Sequence, residues 1–159
     1  MVEGTYRQWL AQRNYTDTEA RHDGDDHRSA GCGSHDYRPG GIGIDATIED
    51  AEALLRHHHI AGLPVVDLTG RLVGVISQTD LLYLAVPTVQ ALIRHRPRGV
   101  RVGEVMSSPP VTIDSEATLI EAARVMHDRA LHRLVAIDEH QRPIGVLAAM
   151  DFVALAAES

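Results

Sequence analysis

Beyond residue 41 the apolar positions alternate between two rhythms. Ile48, Ala51, Leu54, Leu55 and His58 follow the three-and-four spacing of one helical face. Thr47-x-x-Asp50 just ahead of them is a capping box, with Thr47 at the N-cap. Leu63–Val66 and Leu72–Ser77 are short branched runs on either side of Asp67-Leu68-Thr69-Gly70, which predicts a hairpin. Ser77-x-x-Asp80 then opens a second helix through Leu81, Leu82, Leu84 and Ala85. Ile42-Gly43-Ile44 is a short strand in front, so the unit reads strand–helix–strand–strand–helix.

The same pattern returns. Val102–Met106 is a short amphipathic lead-in closed by Pro109-Pro110, and Val111-Thr112-Ile113 is a strand. Thr118-x-x-Glu121 repeats the capping box, and Leu119, Ala122, Ala123, Val125 and Met126 supply a buried stripe. Leu134–Ile137 and Ile144–Leu147 form the second hairpin, and Met150–Ala157 the closing helix. Met126 and Met150 fall on apolar faces and are expected in the core. Moved forward by 71 positions, Asp45–Ala85 lies on Glu116–Ala156 without a gap. Such a period marks one supersecondary unit stacked on its own copy. The fold class is therefore α+β (mixed α/β), built from two β-α-β-β-α repeats. Residues 42–86 are the first repeat, 87–101 a linker and 102–159 the second repeat.

Composition narrows the picture. Apolar residues make up 44% of the chain but aromatics only 4%, so the core must be Val, Ile, Leu and Ala. A net charge of −7 argues against general nucleic-acid binding. The lone Cys32 excludes an intramolecular disulfide and fits a reducing cytoplasm. The opening Met-Val-Glu-Gly-Thr-Tyr-Arg has no apolar h-region and no run reaches transmembrane length, so a soluble cytoplasmic protein without membrane contact is expected.

Residues 1–41 form a polar arm. Tyr6–Leu10 suits a helical turn around Trp9, whereas Gln12–Gly41 is turn-rich and reads as coil. His22, Asp23, Asp25, Asp26, His27, Cys32, His35 and Asp36 are metal-ligating types in no compact ligand spacing, and a solvated arm is the preferred reading. Read one nucleotide later, codons for Gly31–Gly41 permit Val-Ala-Asp-Leu-Met-Thr-Thr-Asp-Pro-Val, similar to the Val102–Val111 lead-in. A frameshift would thus make the arm non-native, which resequencing the gene decides. The His57–His59 run ends the first helix, where imidazoles favour the dipole and point about 100° apart, too divergent for one ion. Val89–Ile93 in the linker suits a helix, and Arg94, His95, Arg96, Arg98 and Arg101 make the linker the only basic stretch. A solvated face is preferred over an anion or nucleic-acid site.

Several strings together resemble one family. Val-Gly-Glu-Val-Met at 102–106, Pro-Pro-Val-Thr-Ile at 109–113, Ile-Ala-Gly-Leu-Pro-Val-Val-Asp at 60–67, Gly-Val-Ile-Ser-Gln-Thr-Asp at 74–80 and His-Arg-Leu at 132–134 are similar to those of cystathionine-β-synthase (CBS) domains. The resemblance covers residues 42–157, a tandem pair or Bateman module. It implies pseudo-two-fold packing, inter-repeat clefts that take adenine nucleotides or S-adenosylmethionine, and a homodimer through the CBS repeats. No cofactor is required on this reading; AMP, ADP, ATP or S-adenosylmethionine is the ligand class, and the protein partner is not specified.

The same resemblance names candidate nucleotide-binding residues. In Gly-x-x-Ser/Thr-x-x-Asp the Asp accepts from ribose hydroxyls and the hydroxyl reaches phosphate, which points to Ser77 and Asp80 on a helix N-terminus. The same pair is equally a capping box. The second copy keeps Asp151 but has Ala148 in place of the hydroxyl. His132-Arg133 resembles the His-Arg pair with which nucleotide-sensing members grip phosphate, where arginine's fixed fork suits the task. The matching first-copy positions are the uncharged Ala61-Gly62. Thr112, inside the Pro-Pro-Val-Thr-Ile string, joins the set. One cleft, with Ser77, Asp80, His132 and Arg133, is expected to be competent; the other, with Asp151, is impaired. The alternative for Arg133 is an ion pair with Asp128 or Glu139. No catalytic set emerges, and a ligand-free structural or dimerisation module is the rival to a regulatory sensor.

Overall fold

The computed structural model describes Thr5, Tyr37–Arg38 and residues 40–85 and 99–157. These form two compact units, divided between Pro110 and Val111, with Thr5 joined to the second.

The first unit begins with β1 (Tyr37–Arg38) and β2 (Gly41–Gly43), followed by α1 (Ile48–His57), β3 (Gly62–Val66), β4 (Leu72–Ser77) and α2 (Gln78–Ala85). The sheet order is β1-β2-β3-β4, with β2 parallel to β3 and the other pairs antiparallel. Tyr37–Arg38 and Gly41 fall in the stretch read from sequence as coil. There the left-handed Gly40, at φ 88°, turns the chain so that β1 pairs back on β2. Two residues are too short to show a period-two signal.

Thr47 caps α1 as expected: its hydroxyl accepts from the Asp50 N–H at 3.2 Å, and Asp50 accepts from the Thr47 N–H at 3.0 Å. Ile48, Ala51 and Leu55 face inward onto Ile42, Leu63, Val65 and Ile76. Each buried Val, Leu or Ile side chain among these contributes about 1.5–3 kcal/mol. The helix ends in the histidine run, with His58 at the C-cap and His59 left-handed at φ 52°.

The second unit repeats the plan with β5 (Thr112–Asp114), α4 (Leu119–Asp128), β6 (Arg133–Ile137), β7 (Pro143–Ala148) and α5 (Ala149–Ala157), α3 being the lead-in described next. Its sheet order is β5-β6-β7. The repetition reaches backbone detail: bulges fall at Val65/Val66 and Ala136/Ile137, and left-handed residues at His59 and Ala130 and at Gly70 and Gln141. Ile113, Leu119, Ala122, Met126, Leu134, Ala136 and Leu147 make its core.

The lead-in α3 (Val102–Val105) heads the second repeat in sequence but packs in the first unit. The Val102 N–H donates to the Ala46 carbonyl at 2.8 Å and the Gly103 N–H to Ile44 at 3.0 Å, leaving Val102 0% exposed. Ser107 then exchanges backbone hydrogen bonds with Val75 on the outer edge of β4, at 2.9 and 3.1 Å. Periodicity orders a repeat along the chain but does not say which sheet edge takes each segment.

Met126 is buried as expected, but Met150 is 70% exposed, a correction to its expected core position. It lies in the first turn of α5, whose packing onto the core runs instead through Ala149, Phe152 and Leu155. Among the described residues no helix is long and apolar enough to cross a membrane.

Candidate functional site

At the end of β4 the chain turns directly into α2, placing Ser77 and Asp80 at a helix start. The Ser77 hydroxyl and N–H donate to Asp80 Oδ2 at 2.6 and 2.7 Å, and the Asp80 N–H donates to Ser77 Oγ at 3.3 Å. This is a complete capping box. The other carboxylate oxygen, Oδ1, faces the Ser107 hydroxyl at 3.4 Å. Ser107 is a residue that sequence reasoning missed, because it arrives on the lead-in counted with the other repeat. The Ser107-Ser108 pair closing that lead-in was the available signal; the Ser108 hydroxyl donates to the Val73 carbonyl at 3.0 Å. The helix start is tied to β3, since the Gln78 N–H donates to the Ala61 carbonyl at 3.0 Å.

The second unit gathers the other four candidates at one end of its sheet. Thr112 opens β5 and pairs with Val135, and Arg133 opens β6 and pairs with Ala148. The Ala149 N–H donates to the His132 carbonyl at 3.0 Å, the counterpart of the Gln78 bond. The Ala148 N–H donates to Asp151 Oδ2 at 2.7 Å, so half of the capping box survives and the hydroxyl half is gone. His132 and Arg133 are exposed, while Thr112 and Asp151 are half-buried. Among the described residues no ion pair joins Arg133 to Asp128 or Glu139; Glu139 is 3.5 Å from its neighbour His140. Ser77 and Asp80 thus belong to the first unit, and Thr112, His132, Arg133 and Asp151 to the second.

The shifted carboxylates lie elsewhere. Asp67 and Asp138 occupy matching hairpin turns. The Thr69 hydroxyl lowers the pKa of Asp67, helped by the backbone N–H groups of Arg71 and Thr69. Desolvation pushes Asp138 up, but the N–H groups of Arg142 and His140 outweigh it and leave its pKa lowered. Glu121 is lowered by the N–H and hydroxyl of Thr118 in the α4 capping box. These groups hold two hairpin turns and a helix cap together.

Other candidates lie outside the described residues: the eight arm residues with metal-ligating side chains, the Val89–Ile93 helix, and Arg94, His95, Arg96 and Arg98. Arg101 is described; its guanidinium donates to the Asp45 carbonyl, and it stays exposed. Within the described residues no cluster of three or more His, Cys, Asp or Glu is placed to hold a metal ion.

Comparison with known proteins places this geometry in context. The family model for the CBS domain matches residues 41–86 and 102–158. A CBS domain-containing protein of Dictyostelium discoideum is 32% identical over 118 residues, 72% of this chain and 81% of the relative. Inosine-5'-monophosphate dehydrogenase of Bifidobacterium longum is 29% identical over 113 residues, 70% of this chain and 19% of the enzyme, so the chain spans a minor part of such relatives. Among solved structures, CBSX2 in complex with AMP superposes with a TM-score of 0.63 at 32% identity, covering 74% of this chain and 87% of that one. The cytosolic domain of the Mg2+ channel MgtE in complex with ATP gives a TM-score of 0.58 at 27% identity, covering 72% and 43%.

Proposed function

The chain belongs to the CBS domain family as a tandem, mixed α+β pair, and from that premise we propose that it is a regulatory module that binds an adenosine-containing ligand. The observation that carries this reading is the likeness to AMP-bound CBSX2 over most of both chains. The residues supply suitable chemistry. Asp80, held at the start of α2, takes the ribose hydroxyls, and Ser77 supports it. Arg133, exposed and without a described ion pair, supplies the guanidinium fork for phosphate beside His132. Thr112 and Asp151 form a weaker set, because Ala148 brings no hydroxyl. The ligand regulates only by binding two conformations unequally, which passes a change to a protein partner. The chain does this work as a non-enzyme in the cytoplasm, requires no cofactor, and uses neither membrane nor nucleic acid.

A second reading, a structural or dimerisation module, is favoured by a different observation. α2 exposes Leu82 and Tyr83, and α5 exposes Met150 and Val153, all between 57% and 70% open to solvent. A second copy of the chain is the proposed cover for these positions. Light scattering of the pair Leu82→Asp and Val153→Asp is expected to convert a dimer to a monomer; unchanged mass would count against the dimer.

A thermal-shift screen with AMP, ADP, ATP, S-adenosylmethionine and a GTP control separates sensor from structural module. A ligand at 100 times its Kd adds about 2.7 kcal/mol to the native state. The expected result is a shift with one adenosine ligand that disappears in Arg133→Ala. No shift with any of them, in protein stripped of copurified ligand, would reject the sensor reading.

A further inference from the structure

Asp80 divides its two carboxylate oxygens between separate tasks. Oδ2 accepts from the Ser77 hydroxyl and N–H at 2.6 and 2.7 Å, and the Ser77 hydroxyl accepts the Asp80 N–H in return at 3.3 Å. That closes the cap of α2 and leaves Oδ1 outside it. Facing Oδ1 is the hydroxyl of Ser107 at 3.4 Å. An O–H···O bond is normally about 2.5–3.0 Å long, so these two oxygens are near but loosely joined.

The backbone, by contrast, holds Ser107 firmly. Its N–H donates to the Val75 carbonyl at 2.9 Å, and its carbonyl accepts from the Val75 N–H at 3.1 Å. Just before it, Met106 lies so close to Gly74 that a Cβ there would stand 2.5 Å from the sulfur. Just after it, the Ser108 hydroxyl donates to the Val73 carbonyl at 3.0 Å. Ser108 thus commits its hydroxyl to the fold. The Ser107 hydroxyl is different: its residue is exposed, and its long contact with Oδ1 adds little to stability.

Resting on the adenosine reading above, we propose that Ser107 is a specificity-determining residue, whose Oγ and Asp80 Oδ1 together read the two adjacent hydroxyls of a ribose. Oδ1 is an acceptor only and takes one ribose hydroxyl as its donor. A serine hydroxyl has one proton and two lone pairs. Ser107 therefore keeps its proton toward Oδ1 and accepts the second ribose hydroxyl on a lone pair. Hydroxyls on neighbouring carbon atoms lie close enough together to reach two oxygens at this spacing. The carboxylate charge repels phosphate, so the sugar edge is the part of a nucleotide that fits here. The pair favours ribonucleotides over deoxyribonucleotides, a distinction that a single acceptor would draw less sharply.

Calorimetric titration of the full chain with AMP, 2′-deoxy-AMP and 3′-deoxy-AMP tests the assignment. The unmodified protein is expected to bind AMP about tenfold or more tighter than either deoxy analogue, the scale of one hydrogen bond lost at a charge-bearing pair. Ser107→Ala is expected to weaken AMP binding about tenfold and to keep its Tm. It is also expected to erase the penalty for one analogue, the one lacking the hydroxyl that Ser107 holds, while the penalty for the other stays. Ser107→Thr keeps a hydroxyl and is expected to restore the pattern of the unmodified protein. A purely structural role would weaken all three nucleotides alike. That result, equal binding of AMP and its deoxy analogues, or unchanged AMP affinity in Ser107→Ala overturns the assignment and leaves the adenosine reading in place. No binding of any of the three by the unmodified protein also overturns it, and the thermal-shift screen then decides the adenosine reading separately.

Discussion

The two units share a backbone plan but differ where chemistry would occur. In the first, Asp80 is engaged by Ser77 through one oxygen and faces Ser107 across the other. In the second, Asp151 keeps the bond from the Ala148 N–H and has no hydroxyl at that position to complete the box. The arginine shows the opposite bias: Arg133 heads β6, whereas Gly62 heads β3. Duplication has preserved what the fold needs, namely strand registers, bulges and left-handed residues. It has let the groups at the strand ends diverge.

The largest effect that tests this division concerns the lead-in. Val102→Asp places an unpaired charge at a fully buried position, and the scale for an uncompensated buried charge is about 3–5 kcal/mol. Hydrogen exchange is expected to show the loss in β2, β3 and β4 first. Loss confined to β5–β7 would mean that the lead-in serves the second unit instead.

Next come the caps. Asp80→Ala removes a complete box and is expected to cost about 1 kcal/mol, with Asp151→Ala costing less. Ala148→Ser restores the missing hydroxyl and is expected to raise Tm, by up to about 1 kcal/mol in stability. Equal costs for the two aspartates in denaturant titrations would erase the difference between the units. A similar gain is expected from Gln141→Gly, because Gln141 holds φ 63° where the first repeat has Gly70. Left-handed geometry costs an L-residue about 1–2 kcal/mol.

The smallest effect is with pH. Asp67, Asp138 and Glu121 are all held below their ordinary values of 3.8, 3.8 and 4.5. A group depressed in the folded state contributes stability that is complete above the ordinary value and lost as pH falls through the lowered one. Acid destabilisation is therefore expected to begin near these values, with two of the three groups in the second unit. Asp138→Asn should flatten the slope of stability against pH below 3.8; an unchanged slope would exclude this contribution.

Much of the fold was legible because the repeat was ungapped and its signals were local. Capping boxes, hairpin turns and apolar periods each depend on residues a few positions apart, and Leu72–Ser77 matches β4 residue for residue. What escaped depended on distant partners. Tyr37–Arg38 becomes a strand only because β2 is there to receive it, Met150 points away from a core its spacing suggested, and the lead-in crosses to the first unit. The site was legible in the same uneven way. Ser77 with Asp80 and Ala148 with Asp151 are local pairs that spacing reveals, whereas Ser107 comes from 27 residues beyond Asp80, and the Ser107-Ser108 pair does not say which aspartate it will face.

The proposal at the centre of this account is that the chain binds an adenosine-containing ligand through Asp80 rather than through Asp151. Calorimetric titration of AMP into ligand-stripped protein tests it most directly. The account expects one AMP per chain, binding abolished in Asp80→Ala and retained in Asp151→Ala. Binding that survives Asp80→Ala but is lost in Asp151→Ala, or two equal sites per chain, would contradict it.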